Sequence, residues 1–310
     1  MLGLAGLLGL IVMGLSVDMT GLTGDRDAED ADLPDNPDND LLEGGTGNDI
    51  LLAGFGDDIL FGNDGDDLLW GGDGDDLLLG ADDNDTLQGG DGNDSLEGDF
   101  GDDDLSGGAG DDDLKGQAGD DLLSGDDGGD TLIGGPGNDI LRGGAGDDGL
   151  MGGNDDDLVF GGAGADIVNG NLGDDLVSGL ATDDLSEALR DDGEMDYLNG
   201  GDGDDILLAG MGDLATGGDG ADLFALGDWD GPAEIADFDP TEDALLVIYD
   251  AAAHPDPTIS VEPLSGDPES AVILLDGLPV AHVAGGAGLD PSEVTLVAGT
   301  TFADIISLAA

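Results

Sequence analysis

The residues best suited to chemistry in this sequence are aspartates, and they recur at every ninth position. They stand at Asp49, Asp58, Asp67, Asp76, Asp85, Asp94, Asp103, Asp112, Asp121, Asp130, Asp139, Asp148, Asp157, Asp166 and Asp175 without a gap, and the pattern returns at Asp205 and Asp222. Carboxylates are hard oxygen donors, so a row of them at fixed spacing suits the coordination of a hard divalent cation. Acid–base catalysis on a glycosidic bond needs only one pair, which leaves so long a series unexplained. The whole chain carries 75 acidic against 4 basic side chains, a net charge of −71. That balance excludes a nucleic-acid surface and a basic membrane-binding stripe, both of which require clustered Lys and Arg. The absence of cysteine excludes disulfides, thiolate nucleophiles, zinc–thiolate sites and iron–sulfur clusters.

The elements that must position these carboxylates follow from the same frame. Numbering each unit from Gly44 puts aspartate in the sixth place. The eighth place reads Leu51, Leu60, Leu69 and so on to Leu150, then Val159, Val168 and Val177. The first place is Gly except at Ala53, and the fourth is Gly except at Asp83 and Asp155. Each unit divides into a six-residue glycine-rich turn and a three-residue strand whose eighth residue points opposite to the seventh and ninth. Two units return the chain to its starting side. The spacing therefore predicts two parallel sheets facing across a leucine core, with units i and i+2 stacked at about 4.8 Å. Stacking gathers the aspartates into two columns, one at each edge, where bare carboxylates repel one another. The arrangement calls for a divalent cation between successive turns, bound by carboxylates and by carbonyls of the tight turn. Ca2+ suits it better than Mg2+, because calcium accepts six to eight oxygens in flexible geometry and dehydrates readily.

Units such as Gly134-Gly135-Pro136-Gly137-Asn138-Asp139-Ile140-Leu141-Arg142 and Gly89-Gly90-Asp91-Gly92-Asn93-Asp94-Ser95-Leu96-Glu97 resemble the GGxGxDxUx nonapeptides of RTX (hemolysin-type calcium-binding) proteins. The resemblance implies an all-β chain wound as a right-handed parallel β-roll. It also implies calcium held by the sixth-place aspartates with nearby backbone carbonyls, and export by a type I secretion machine. Weaker sites are expected at Asp83 and Asp155, which replace a fourth-place glycine, and at Gly129 and Ala165, which replace a fifth-place Asp or Asn.

Outside the strict frame, residues 1–17 read as an apolar helix, 18–43 as an acidic linker, 44–225 as the roll, and 226–310 as a small C-terminal β-rich domain, which by the resemblance caps the roll and holds a secretion signal. An insertion near 180–195 interrupts the roll, with a short helix expected over 183–191, after which the repeat resumes at Asp196 and Leu198. In the cap, three apolar runs, 244–249, 271–275 and 280–284, read as strands. Asp276-Gly277 makes a hairpin turn between the last two, and Pro279 is expected to put the third at a sheet edge. The segment Glu234 to Asp239, with Asp243 and Leu245, resembles the stretch that follows the roll in RTX proteins.

Leu2 to Val17 is uncharged and mostly apolar, yet lacks the basic start and small-residue cleavage site of a secretory signal. As a helix it spans roughly 24 Å, short of a hydrocarbon core of about 30 Å, which leaves membrane association open. In the first four units the outward seventh and ninth places are all apolar: Ile50, Leu52, Ile59, Phe61, Leu68, Trp70, Leu77 and Leu79. Such a surface is usually covered. Residues 2–17 or a second copy of the chain are the candidates.

No enzyme is expected. His254 and His282 lie outside any H-E-x-x-H helix, and neither a G-x-S-x-G elbow nor a phosphate-binding G-x-x-x-x-G-K-[ST] loop is present. The reading is a secreted, extracellular or cell-surface calcium-binding structural protein. Its alternative is the calcium-binding secretion module of an enzyme or toxin whose active domain is absent from this chain.

Overall fold

Leucine or valine in the eighth place and, for the most part, glycine or another turn-forming residue in the second and fourth places fold the chain into a two-sheet parallel solenoid. The structure, a computed structural model, describes residues 31–32, 39–181, 190–227 and 231–298. One sheet has thirteen strands in the order β1 (Ala31–Asp32), β3 (Ile50–Phe55), β5 (Leu68–Asp73), β7 (Thr86–Asp91), β9 (Asp104–Ala109), β11 (Leu122–Asp127), β13 (Ile140–Ala145), β15 (Leu158–Ala163), β17 (Leu176–Ser178), β19 (Ile206–Ala209), β21 (Leu223–Gly227), β23 (Ala244–Tyr249) and β27 (Val294–Ala298). The other has fourteen: β2 (Leu41–Glu43), β4 (Ile59–Asp64), β6 (Leu77–Asp82), β8 (Ser95–Phe100), β10 (Asp113–Ala118), β12 (Thr131–Pro136), β14 (Gly149–Asn154), β16 (Ile167–Leu172), β18 (Tyr197–Asp202), β20 (Leu214–Asp219), β22 (Ala233–Ile235), β26 (Leu278–Ala284), β25 (Ser270–Leu275) and β24 (Ile259–Pro263).

The register is the one the nine-residue frame requires. Leu51 pairs with Leu69, Leu69 with Leu87 and Leu114 with Leu132, each 18 residues apart, and all these pairings are parallel. The eighth-place side chains are buried in one continuous core running from Leu42 to Val294. The strands are longer than the three residues expected. They run from the seventh place to the third place of the next unit, because the second and third places also pair, as Gly54 does with Gly72 and Phe55 with Asp73. A left-handed second place, such as Gly72 at φ 121°, bends the strand there without ending it. The turn proper shrinks to the fourth, fifth and sixth places.

The solenoid also starts earlier than expected. Residues 41–43, assigned to the acidic linker by sequence, form β2 and pair with β4, while Ala31 and Asp32 pair with β3. At the other end, the strands of 226–310 join the same two sheets: β23 and β27 extend one, and β22, β26, β25 and β24 extend the other. Among the described residues, only the β24–β25 and β25–β26 pairs are antiparallel. Asp276 and Gly277, at φ 51° and 85°, make the β25–β26 hairpin turn. Pro279 does not mark an edge strand, since β26 lies between β22 and β25. β22 pairs only with Ala281 to Val283, so on that side the proline lies beyond its partner's end, and on the other it stands opposite Leu274, where the β25–β26 register shifts.

Two features of the outer surface differ from the sequence reading. The outward apolar residues of the first four units lie on two opposite faces: Ile50, Leu52, Leu68 and Trp70 on β3 and β5, and Ile59, Phe61, Leu77 and Leu79 on β4 and β6. Further along the first sheet, outward side chains form a second core. Phe160, Leu176, Leu208, Ala225, Leu246 and Ile248 are buried there together with Leu180, which follows β17. The N-terminal apolar helix lies outside the described residues. So does the helix of 183–191, apart from Arg190 and Asp191, which are not helical.

Candidate metal centre

Each sixth-place aspartate sits at the end of a three-residue turn, immediately before a strand whose next-but-one residue is anchored in the core. That attachment turns its carboxylate inward. Asp58, Asp67, Asp76 and their equivalents are almost fully buried, at 0 to 4% exposure from Asp49 to Asp222. Their Oδ1 atoms form a ladder along each edge. In one column the amide of Asp103 donates to Asp121 at 2.9 Å, and that of Asp121 to Asp139 at 2.8 Å. In the other, Asp112 donates to Asp130 and Asp130 to Asp148 at 2.8 and 2.7 Å. A second ladder of fifth-place side chains runs the opposite way: the amide of Asp120 donates to Asp102, and that of Asn138 to Asp120, at 3.0 and 2.9 Å.

The other carboxylate oxygen is the chemically informative one. Among the described residues, sixteen aspartates of the columns, from Asp58, Asp67 and Asp76 onward to Asp205, have an Oδ2 that is buried and accepts no hydrogen bond. A buried carboxylate oxygen with no donor is costly, and only a proton or a cation relieves it. Burial pushes these carboxyls up from the ordinary 3.8, to about 6 at Asp58 and Asp67, about 7 at Asp76 and Asp121, and about 8 at Asp157 and Asp196. The amide bond from the adjacent rung opposes the rise, and the carboxylates of neighbouring rungs add to it.

The residues around these oxygens fit a hard cation. A Cβ on first-place Gly71 would run into Asp76 Oδ2 and lie 2.8 Å from the Gly89 carbonyl oxygen. The same pairing recurs at Gly89, with Asp94 Oδ2 and the Gly107 carbonyl, and at Gly134, with Asp139 Oδ2 and the Gly152 carbonyl. Glycine thus keeps open a space bordered by one carboxylate oxygen and one carbonyl oxygen of the next rung. Among the described residues no three acidic or imidazole groups converge on one point. The donor set is therefore mixed, with aspartate Oδ2 supplying the charge and turn carbonyls the remaining oxygens, a combination that Ca2+ accepts. The Oδ2 atoms and the turn carbonyls would hold such an ion, whose charge would neutralise the column.

Of the sequence-predicted residues, fifteen carry the unpartnered Oδ2, and Asp49 and Asp222 do not. Asp49 Oδ2 accepts the Gly45 amide at 2.7 Å. The structure adds Asp196 to the set, and it adds Asp40 as a further rung of a column. The Asp40 amide donates to Asp58, which makes it the first rung of its column. Its unit, Asp35 to Glu43, has aspartate where glycine is expected in the first and fourth places, so the glycine signal was missing. Asp166 reaches Asp196 across the 30-residue gap made by the insertion, and Asp175 reaches Asp205 in the same way. Asp213 closes one column with both oxygens satisfied, by the amides of Asp196 and Gly210. Asp243 closes the other by accepting from Asp222 at 3.1 Å. Asp83 and Asp155 take the left-handed fourth-place conformation, at φ 79° and 73°. Gly129 and Ala165 donate to the preceding fifth-place carboxylates, but offer no side chain to accept from the next rung.

His254 and His282 lie apart from the columns and bond Asp276 and Glu234 at 2.7 and 2.6 Å. Two parallel sheets closed at both edges by glycine–aspartate turns, with oxygen-lined spaces between rungs, define the class of cation-binding parallel β-solenoids. The model of the RTX calcium-binding nonapeptide repeat matches residues 36–185 and 193–213 in overlapping copies, more than half of the chain, and the chain belongs to that family. No curated protein matches it.

Proposed function

We propose that this chain is a secreted calcium-binding structural or surface protein whose roll folds when it meets Ca2+ outside the cell. The observation that carries the reading is the double row of buried, unpartnered Oδ2 atoms. Unneutralised, these oxygens oppose the fold that buries them. Extracellular calcium modules bind at roughly 0.1 to 1 mM, so cytosolic calcium leaves such a chain unfolded and able to thread through an export channel. External calcium then drives folding, because the ions bind the folded state and not the unfolded chain. The winding is right-handed, as crossover connections between parallel strands almost always are. Residues 226–310 carry the information for type I export, and the chain has no catalytic role. No helix among the described residues is long and apolar enough to cross a membrane. Far-ultraviolet circular dichroism during a calcium titration, with magnesium as control, tests the proposal. The strand signal is expected to appear with calcium and not with equal magnesium. A signal already complete in chelator would overturn it.

A further inference from the structure

On the outer face of the first sheet, the chemistry of the seventh and ninth places changes along the roll. β7 and β9 carry Thr86, Gln88, Asp104 and Ser106 there, side chains that water satisfies. From β15 to β23 the same places carry Phe160, Leu208, Ala225 and Leu246, buried although they point away from the core, with Leu180 from outside the repeat packed among them. The molecule therefore covers an apolar stretch of this face with its own non-repeat chain. The other apolar stretch of the same face lies at the opposite end, on β3 and β5. There Ile50 and Trp70 are 38% and 45% exposed, flanked by Leu52 and Leu68.

We propose that the segment Leu2–Val17 packs across Ile50, Leu52, Leu68 and Trp70 and completes this end of the sheet as Leu180 helps complete the other. β1 pairs with β3, so the chain enters the roll directly beside the patch. The thirteen residues from Asp18 to Asp30 connect the segment to β1. Fully extended they reach up to about 45 Å, while β3 and β5 are neighbours roughly 4.8 Å apart. The segment is uncharged and mostly apolar in a chain of net charge −71, and is thus matched to an apolar surface. A second copy would bring its own −71 against the first, and a helix of this length falls short of a bilayer core.

The absence of cysteine makes the test direct. In the full chain with calcium, Leu52→Cys is combined in turn with Leu4→Cys, Leu7→Cys, Leu8→Cys and Ile11→Cys, and mildly oxidised. At least one pair is expected to form a disulfide within a single chain, while the same positions combined with Leu79→Cys, on the opposite face, do not. Disulfides only between chains would assign the patch to a second copy and overturn the proposal. Equal reaction with Leu79→Cys, or none with Leu52→Cys, would also overturn it. In a Trp229→Phe background, deleting residues 2–17 is expected to red-shift Trp70 emission and raise its quenching by acrylamide. Unchanged emission and quenching, or loss of the Leu52 cross-links when neutral lipid vesicles are added to the full chain, would count against it.

Discussion

Within each sixth-place aspartate the two oxygens have different duties, and substitutions separate them. Asp121 Oδ1 accepts the Asp103 amide, while its Oδ2 faces the space kept open by Gly116. Asp121→Asn retains an acceptor but removes the charge, so it is expected to raise the calcium midpoint and lower the number of ions bound, with little change in the architecture of the loaded roll. Asp121→Ala also strands the Asp103 amide, at a further cost of about 1–3 kcal/mol. Calorimetric calcium titration and urea unfolding of the two variants check this. Identical behaviour of the two would show that Oδ1 is idle. Gly116→Ala places a methyl against Asp121 Oδ2 and is expected to weaken calcium binding in the same titration, even though the backbone there is not in the left-handed region. These residues were legible because the period fixes them. Asp40 and Asp196 were harder to assign: one lacks the glycines that mark a turn, and the other stands behind an insertion. Asp196 was placed where the repeat resumes but not counted as a ligand; the ladder partners Asp58 and Asp166 put Asp40 and Asp196 in the columns.

At the scale of the elements, one strand depends on the strands 18 residues before and after it. Leu123 is fully buried between Leu105 and Leu141 in the core ladder. Leu123→Ala is expected to cost about 2–5 kcal/mol, read as a lower urea midpoint at saturating calcium. A change within a few tenths of a kcal/mol would mean the ladder is not tightly packed. The eighth-place leucines gave away the register of both sheets, since a period of nine with one inward residue per unit permits little else. Strand length was less legible. The second-place residues look like turn formers, yet in the left-handed region they keep pairing with the next rung, as Gln117 does with Asp99 at φ 82°. The outer core around Phe160 was written in the seventh and ninth places of the later units. Its meaning depends on what packs over it, and that is a tertiary fact.

For the whole molecule, the proposed role of the columns couples folding to both calcium and protons. Burial raises sixth-place carboxyls from 3.8, to about 6 at Asp58, about 7 at Asp76 and about 8 at Asp157. Between pH about 4 and those values the metal-free roll holds more protons than the unfolded chain. This contribution to stability is therefore fully present below the unfolded value and is lost as pH rises through the folded ones. In chelator, acidification from pH 8 to 5 is expected to increase the strand signal. With calcium present, protons compete for the same Oδ2 atoms, and the calcium midpoint should rise over the same range. Circular dichroism at the two pH values, with and without calcium, checks both signs, and a metal-free signal that weakens on acidification would contradict the first. The most direct measurement is a crystal structure grown in calcium, with anomalous scattering used to locate the ions. The account predicts two rows of peaks, each beside an Oδ2 atom of the column aspartates and the turn carbonyls of the neighbouring rung. Columns that keep this fold with no anomalous peak beside those oxygens would contradict it.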